Sequence, residues 1–531
     1  MMTKTLYING HLYGRATDEL EAIVVQDGKI EAIGGQKELK LQLSGQHYEI
    51  VDWQGGHVLP GLVDSHMHLS MHGMKLSMLD FSAASSRREM LDMLRRKAET
   101  TSSGEWILGL NWNENAFPDR MAPHISELDE ITSTHPVFLT RTCFHAFLAN
   151  TEAFRRAGIH KDTPDPASGS FGRDEYGELN GWVYEEASFL FQKVQPEPDY
   201  ESKKQMIRQA SQDALRLGLT GVHTEDLRLH GSVETMLRIH RELLEEGIAL
   251  RTHHLLYHPF LEEAVGLGLH GGSGDEWLKM GSVKLFVDGA IGGRTALLRE
   301  PYHDATQTVG MAIHSADGLE QLVAAARQAG FPIAAHAIGD GAADLLLTAL
   351  EKHRLPATSM LPDRFIHAQV LDRGLVERMS ELHLIADIQP RFVVSDFPWV
   401  LERVGPHRTE FLYAWRKLMQ AGIPCAGGSD APIEPLDPLL GLHAAVTRRK
   451  PEESHEGYIT EEKLSLSEAL LLFSKGGAVA AGEAEERGII QQGYRADFTV
   501  LDRELMQDAP DDLLKARVQM TIVNGVMAYQ A

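Results

Sequence analysis

Only two cysteines, Cys143 and Cys425, occur among 531 residues. So few exclude a disulfide framework and leave no basis for a cysteine-ligated zinc site. No uninterrupted apolar run approaches the roughly 18 residues of a membrane span, and the opening stretch MMTKTLYING carries no apolar signal core. The expectation is a cytoplasmic protein. Basic charge is in deficit: 51 Lys and Arg stand against 75 Asp and Glu, a formal net charge of −24. A surface of that sign repels nucleic acid and anionic membrane, and no Lys/Arg cluster counters it, so neither is expected as a partner. Internal repeats and low-complexity tracts are also missing, as is a Gly-rich phosphate loop after a first strand.

What is present suffices for a large core, with 43% of residues hydrophobic, and more than one domain is expected at this length. The first 57 residues read as short strands with Asn-Gly and Asp-Gly turns, and residues 484–531 repeat that character around Asn524–Gly525. Each piece is too thin to hold a core alone, so the two ends are expected to pair into one small composite β-sandwich domain. Between them, over 58–483, eight apolar strand-like runs alternate with helical stretches: 61–69, 218–226, 249–257, 282–289, 331–339, 364–369, 383–390 and 423–432. SKKQMIRQASQDALRLG and LEQLVAAARQAG show the helical period and end in Gly. The pattern predicts an α/β fold, a (β/α)8 TIM barrel, with an open doubly wound sheet as the alternative. Residues 70 to about 200 read as an insertion after the first barrel strand, expected over one barrel mouth.

Histidine is abundant, 26 in all. In LVDSHMHLS, His66 and His68 are two apart and so project to one side of a strand, at its C-terminal end. His336 ends IAAHAIGD, His367 ends RFIHAQ and Asp430 ends AGGSDAP. Any one of them reads equally well as a polar strand end, and Asp430 as a helix N-cap. Together they offer imidazole nitrogen and carboxylate oxygen at equivalent places, the donor set of a divalent metal. Lys284 lies between Val, Leu and Phe in SVKLFVDG. Burial would lower its pKa and leave a reactive neutral amine, whereas snorkelling or pairing with Asp288 is the plain alternative.

The set LPGLVDSHMHL, VKLFVDGAIGGRTALL, AAHAIGD, RFIHAQ and GGSDAPIEPLDP closely resembles the amidohydrolase superfamily, and most of all the branch containing N-substituted formamide deformylases. The likeness spans nearly the whole chain. It implies that His66, His68 and Asp430 bind the more buried of two divalent ions. Lys284, carboxylated, would bridge the pair, and His336 and His367 would bind the second ion. Zinc is the first expectation, with Fe, Mn or Co also accepted by such ligands. It further implies hydrolysis of a carbon–nitrogen bond, amide or formamide-like, by a metal-activated hydroxide, with Asp430 as general base and then general acid. The branch often carries an R-x-D-G-H motif; here the stretch is RTCFH, with Cys143 and Phe144, which leaves the substrate open.

Other residues stand around this set. Arg294 reads as a ligand for a substrate carboxylate or as a loop tie. Asp340 and Gln369 are candidates to orient His336 and His367, since ligating imidazoles need an outer partner. His145, Asn111 and Trp112 are candidates to line the pocket, with packing as the competing role. His223 is weighed for a site role, and the adjacent His253 and His254 are read as structural. A one-metal deaminase of the same fold would carry a Glu shortly after the strand-five histidine, whereas His336 is followed by AIGD. A lactone or imide hydrolase and a non-catalytic scaffold are the remaining alternatives. The expected partner is a small-molecule substrate, with a homodimer as the common assembly.

Overall fold

The computed structural model describes residues 4–14, 21–142, 146–166, 169–356, 358–506 and 509–531. Contacts divide the chain into two compact units, one of residues 1–72 with 207–531 and the other of residues 73–206.

The first unit holds the barrel. Its strands are β1 (Leu62–Met67), β2 (Leu219–Thr224), β3 (Arg251–Tyr257), β4 (Leu278–Phe286), β5 (Ile333–Ala337), β6 (Asp363–His367), β7 (Leu384–Ile388) and β8 (Cys425–Gly427). They lie side by side in sequence order, each paired parallel to the next. All eight apolar runs of the sequence are therefore strands. Most of their residues are buried on both faces, because the lumen covers one side and helices the other. Among those helices are Tyr200–Arg216 and Ala316–Gln328, the latter capped by Ser315, whose side chain accepts the Gly318 N–H.

β8 has only three residues and forms no strand ladder with β1 among the described residues. The ring is closed instead by single bonds: the Asp430 N–H to the His66 carbonyl at 2.7 Å, and the His68 N–H to the Ala431 carbonyl at 2.8 Å.

Eight further strands of the same unit, drawn from both chain ends, form one sheet. Lys4–Leu12 pairs with Glu21–Gln26, with Tyr48–Asp52 and, at its end, with His57–Pro60. His57–Pro60 in turn pairs antiparallel with Phe498–Leu501. Tyr7, Ile23, Trp53, Val58, Phe498 and Ile522, from both ends of the chain, share one core. The hairpin from Val518–Val523 to Val526–Gln530 turns at Asn524 and Gly525, both with positive φ (54° and 71°), the pair that a two-residue turn of this hand requires. This sheet and the barrel belong to one compact unit. They are joined by Thr499, which donates to the Gly218 carbonyl and accepts the Leu62 N–H, and by Arg251, which forks onto Asp497 at 2.8 and 3.0 Å.

The second unit is a six-stranded mixed sheet, ordered Gly169–Arg173, Leu179–Glu185, Ala146–Ala149, Val137–Arg141, Ile107–Trp112 and Leu79–Asp80. Alternate residues of its strands feed two cores. Leu139 and Leu148 enter one with Trp112, and Phe138 and Phe147 the other with Phe154 and Phe191. Among the described residues no helix is long and apolar enough to cross a membrane.

The Arg251–Asp497 pair is buried, with side-chain exposures of 5% and 6%. Arg251→Ala leaves a carboxylate without its partner in that setting, so the chemical-unfolding midpoint should fall by the equivalent of about 3–5 kcal/mol, and by much less in an Arg251→Met/Asp497→Leu double variant.

Candidate metal centre

Six side chains meet at the C-terminal ends of the barrel strands, where folds of this kind carry their chemistry. His66 lies at the end of β1 and His68 just beyond it. Lys284 comes from β4, His336 from β5 and His367 from the last position of β6; Asp430 follows β8. Asp430 Oδ1 lies 3.5 Å from His66 Nε2 and 3.4 Å from His68 Nε2. Lys284 Nζ is 3.2 Å from His66 Nε2. The His367 ring stands 5.8 Å from that of His66 and 4.5 Å from that of His336, centroid to centroid. The six thus form one connected cluster.

Outer partners fix the rings. His68 Nδ1 donates to the Glu225 carbonyl at 3.0 Å, which turns Nε2 towards Asp430. His367 Nδ1 donates to Gln389 Oε1 at 2.8 Å, and Gln389 is itself oriented by donating to the Asp387 carbonyl. His336 Nε2 lies 3.1 Å from the Gly289 carbonyl oxygen. Under the site, the Asp64 carboxylate accepts the N–H groups of His66 and Ser429. His367, Ala368 and Asp430 all hold positive φ (80°, 48° and 59°). Such backbone costs of order 1–3 kcal/mol per residue and persists where the surroundings enforce it, commonly at functional sites.

Burial sets the charges. It holds His66 and His336 well below the ordinary imidazole pKa and His367 at about 4, so their rings are neutral and their lone pairs available. Burial also pulls the Lys284 ammonium down to about 8. Burial opposes ionisation of Asp430, but the facing His68, His367 and Lys284 outweigh it and keep the carboxylate below its usual range. The same Asp430 contact raises His68 against its own burial.

The donor set fits a divalent ion. His66, His68 and Asp430 bring three ligand atoms within 4.8 Å of one another, all buried, and Asp430 Oδ1 has no hydrogen-bond donor among the described residues. Separations near 3.4 Å are those of neighbouring vertices in a tetrahedral shell with bonds of about 2 Å. Both the charge state and the spacing suit metal ligation.

The structure places the other residues singled out in the sequence, and it corrects the readings of Asp340 and Gln369. Asp340 does not reach His336: its carboxylate accepts the N–H groups of Arg299 and Gly341. Gln389, not Gln369, partners His367; Gln369 uses its carbonyl to accept the Tyr413 N–H. Arg294 is tied to Asp304 at 2.7 Å, the loop-holding role. Trp112 is fully buried in the core of the second unit, with its indole N–H on the Leu139 carbonyl, and so offers no surface to a substrate. Asn111 donates to Asp80 Oδ1 at 2.9 Å within that unit. His145 lies outside the described residues, as do Cys143 and Phe144. Asp288 does not pair with Lys284, because the N–H groups of Leu297, Ile338 and Gly339 occupy it. No helix starts at Asp430; the next one is capped by Asp437. His223 packs against His253 at 4.7 Å between ring centroids.

The family model described as "Amidohydrolase family" matches residues 49–529. The protein YtcJ of Bacillus subtilis is 38% identical over 533 residues, 99% of each chain. N-substituted formamide deformylase of Arthrobacter pascens is 27% identical over 96% of this chain and 95% of its own. The crystal structure of an uncharacterized metal-dependent hydrolase from Pyrococcus horikoshii superposes with a TM-score of 0.76 at 30% identity, covering 96% of this chain and 99% of that one.

Gln389→Leu should lower metal affinity about 10- to 100-fold by freeing the His367 ring, measured by competition with a chelating dye. Gln369→Leu should leave the affinity unchanged, because the His367 Nδ1 hydrogen bond is made by Gln389.

Proposed function

We propose, starting from the fact that this chain belongs to the amidohydrolase family, that it hydrolyses a carbon–nitrogen bond in a small amide or formamide-like substrate. The site would hold two divalent ions, zinc first, on His66, His68, Lys284, His336, His367 and Asp430. One observation carries the reading: two buried imidazole nitrogens converge on Asp430 Oδ1, at 3.4 and 3.5 Å, at the rim of a parallel barrel. Likeness to a formamide deformylase and to a metal-dependent hydrolase supports the choice of bond and of cofactor.

A divalent ion held there would polarise a carbonyl oxygen and bring the pKa of a water towards about 7. The chain supplies the proton handling. Asp430, kept ionised by its neighbours, takes a proton on the carboxylate oxygen not used as a ligand and returns it to the departing nitrogen. The pKa of Lys284, about 8, leaves a fraction of neutral amine at physiological pH. That amine can attack CO2, forming an N–C bond and releasing one proton, to give a carbamate. The product is an anion with two oxygens, which suits a bridge between two cations. Burial of Lys284 favours the neutral amine, and bound cations would compensate the carbamate charge in that enclosed place.

The expected partner is a small-molecule substrate, with nucleic acid and anionic membranes disfavoured by a net charge of −24. We place the protein in the cytoplasm, as a homodimer.

Metal counting on protein purified in bicarbonate tests the site. Two ions per chain are expected on the six rim residues, with one or both lost in Lys284→Ala; a count that this substitution leaves unchanged would refute a lysine-bridged pair. Asp430→Asn should lower kcat about 10²- to 10⁴-fold in assays against a panel of N-formyl and N-acyl amines.

A further inference from the structure

A second group of ligating side chains lies away from the six rim residues. Helix Val233–Glu245, capped by the Ser232 side chain, buries Val233, Met236, Ile239, His240 and Leu243 against the barrel. His240 occupies a place that this spacing reserves for an apolar residue. Facing it, β3 turns His254 outward, since the preceding His253 points at His223. The His240 and His254 rings meet edge to face, 4.4 Å between centroids. Short helix Leu227–His230 follows β2 and brings His230 to within 6.1 Å of His240, ring to ring. Asp226 stands at the start of that helix.

All of these are buried: Asp226 is 1% exposed, His230 2%, His240 8% and His254 1%. One ligand atom from each of Asp226, His230 and His240 lies within 4.8 Å of the others. His240 Nε2 and both ring nitrogens of His254 find no hydrogen-bond partner among the described residues. A helix–barrel interface is normally filled by Leu, Val and Ile, and buried polar atoms are normally paired.

We propose that Asp226, His230 and His240 form a second divalent-metal site, separate from the rim. Burial holds His240 at about 3 and His254 well below the ordinary imidazole range, so these rings are neutral. Two imidazoles with one carboxylate favour zinc and its transition-metal neighbours over magnesium or calcium. The role is bracing. The Asp226 carboxylate also accepts the Ser70 N–H at 2.7 Å and the Thr224 hydroxyl at 2.8 Å. Thr224 Oγ1 in turn accepts the Leu69 N–H. A cation on Asp226 would therefore fix the backbone immediately after His68 to helix Val233–Glu245.

The test uses the full-length protein saturated with zinc and then gel-filtered. Zinc is counted by mass spectrometry in the wild type and in His240→Leu, whose new side chain matches the apolar face of the helix. The expected result is a loss of one zinc per chain in the variant, and an unchanged count overturns the site. If the variant does not fold, wild-type crystals decide through anomalous diffraction at the zinc edge. A peak within bonding distance of Asp226, His230 and His240 supports the site; ordered side chains without a peak overturn it. Such a peak is identified by its position alone, so its presence or absence is read separately from occupancy of the rim.

Discussion

The Asp64 carboxylate accepts backbone N–H groups from both sides of the barrel seam, from His66 on β1 and from Ser429 beyond β8. β8 is too short to close the ring by a ladder, so closure rests on this side chain and on the two backbone bonds that follow it. The cost is the burial of a carboxyl that is 1% exposed, which pushes its pKa up to about 7. Those N–H groups stand in for lost water. Since His66, His68 and Asp430 flank the same seam, closing the barrel and bringing these three candidate ligands together are one structural event.

Around that seam three of the imidazoles are held through a ring nitrogen, and two of the six residues sit on strained backbone. The Glu225 carbonyl, the Gln389 amide and the Gly289 carbonyl each set one ring. Positive φ at His367 and Asp430 aims these two side chains where a relaxed strand end would not. Rigid placement of this kind is what a metal or a reacting group requires, because small displacements forfeit most of the interaction.

The barrel was legible in the sequence because parallel strands buried on both faces read as unbroken apolar runs, and the polar residue ending each run marks the rim. His66, His68, His336, His367 and Asp430 stood out for that reason and Lys284 for its apolar setting, and the structure brings the six together. Their outer partners were not legible. Asp340 and Gln369 are near neighbours of His336 and His367 in the chain, yet the side chain that reaches His367 is Gln389, which follows the adjacent strand β7. Sequence proximity is a poor guide across a parallel sheet, where the nearest side chain comes from another strand. Trp112 is opaque for a different reason: an aromatic beside a polar residue reads alike in a pocket and in a core. The cluster of Asp226, His230 and His240 joins a strand end, a four-residue helix and a long helix; only their packing shows that they meet.

The strand His57–Pro60 runs almost directly into β1, and its partner along one edge is Phe498–Leu501. The Gly61 N–H between them is held by the Asp497 carbonyl, and the Leu62 N–H by Thr499. The start of β1 is thus held by a residue 437 positions further along the chain. While the two segments are apart, the edge of His57–Pro60 stands open, the kind of surface that invites pairing with other chains. The pairing also spans most of the chain, which places it among the slowest contacts to form. The strand His57–Pro60 and the start of β1 thus gain their anchor late in folding, through a contact between segments far apart in the chain.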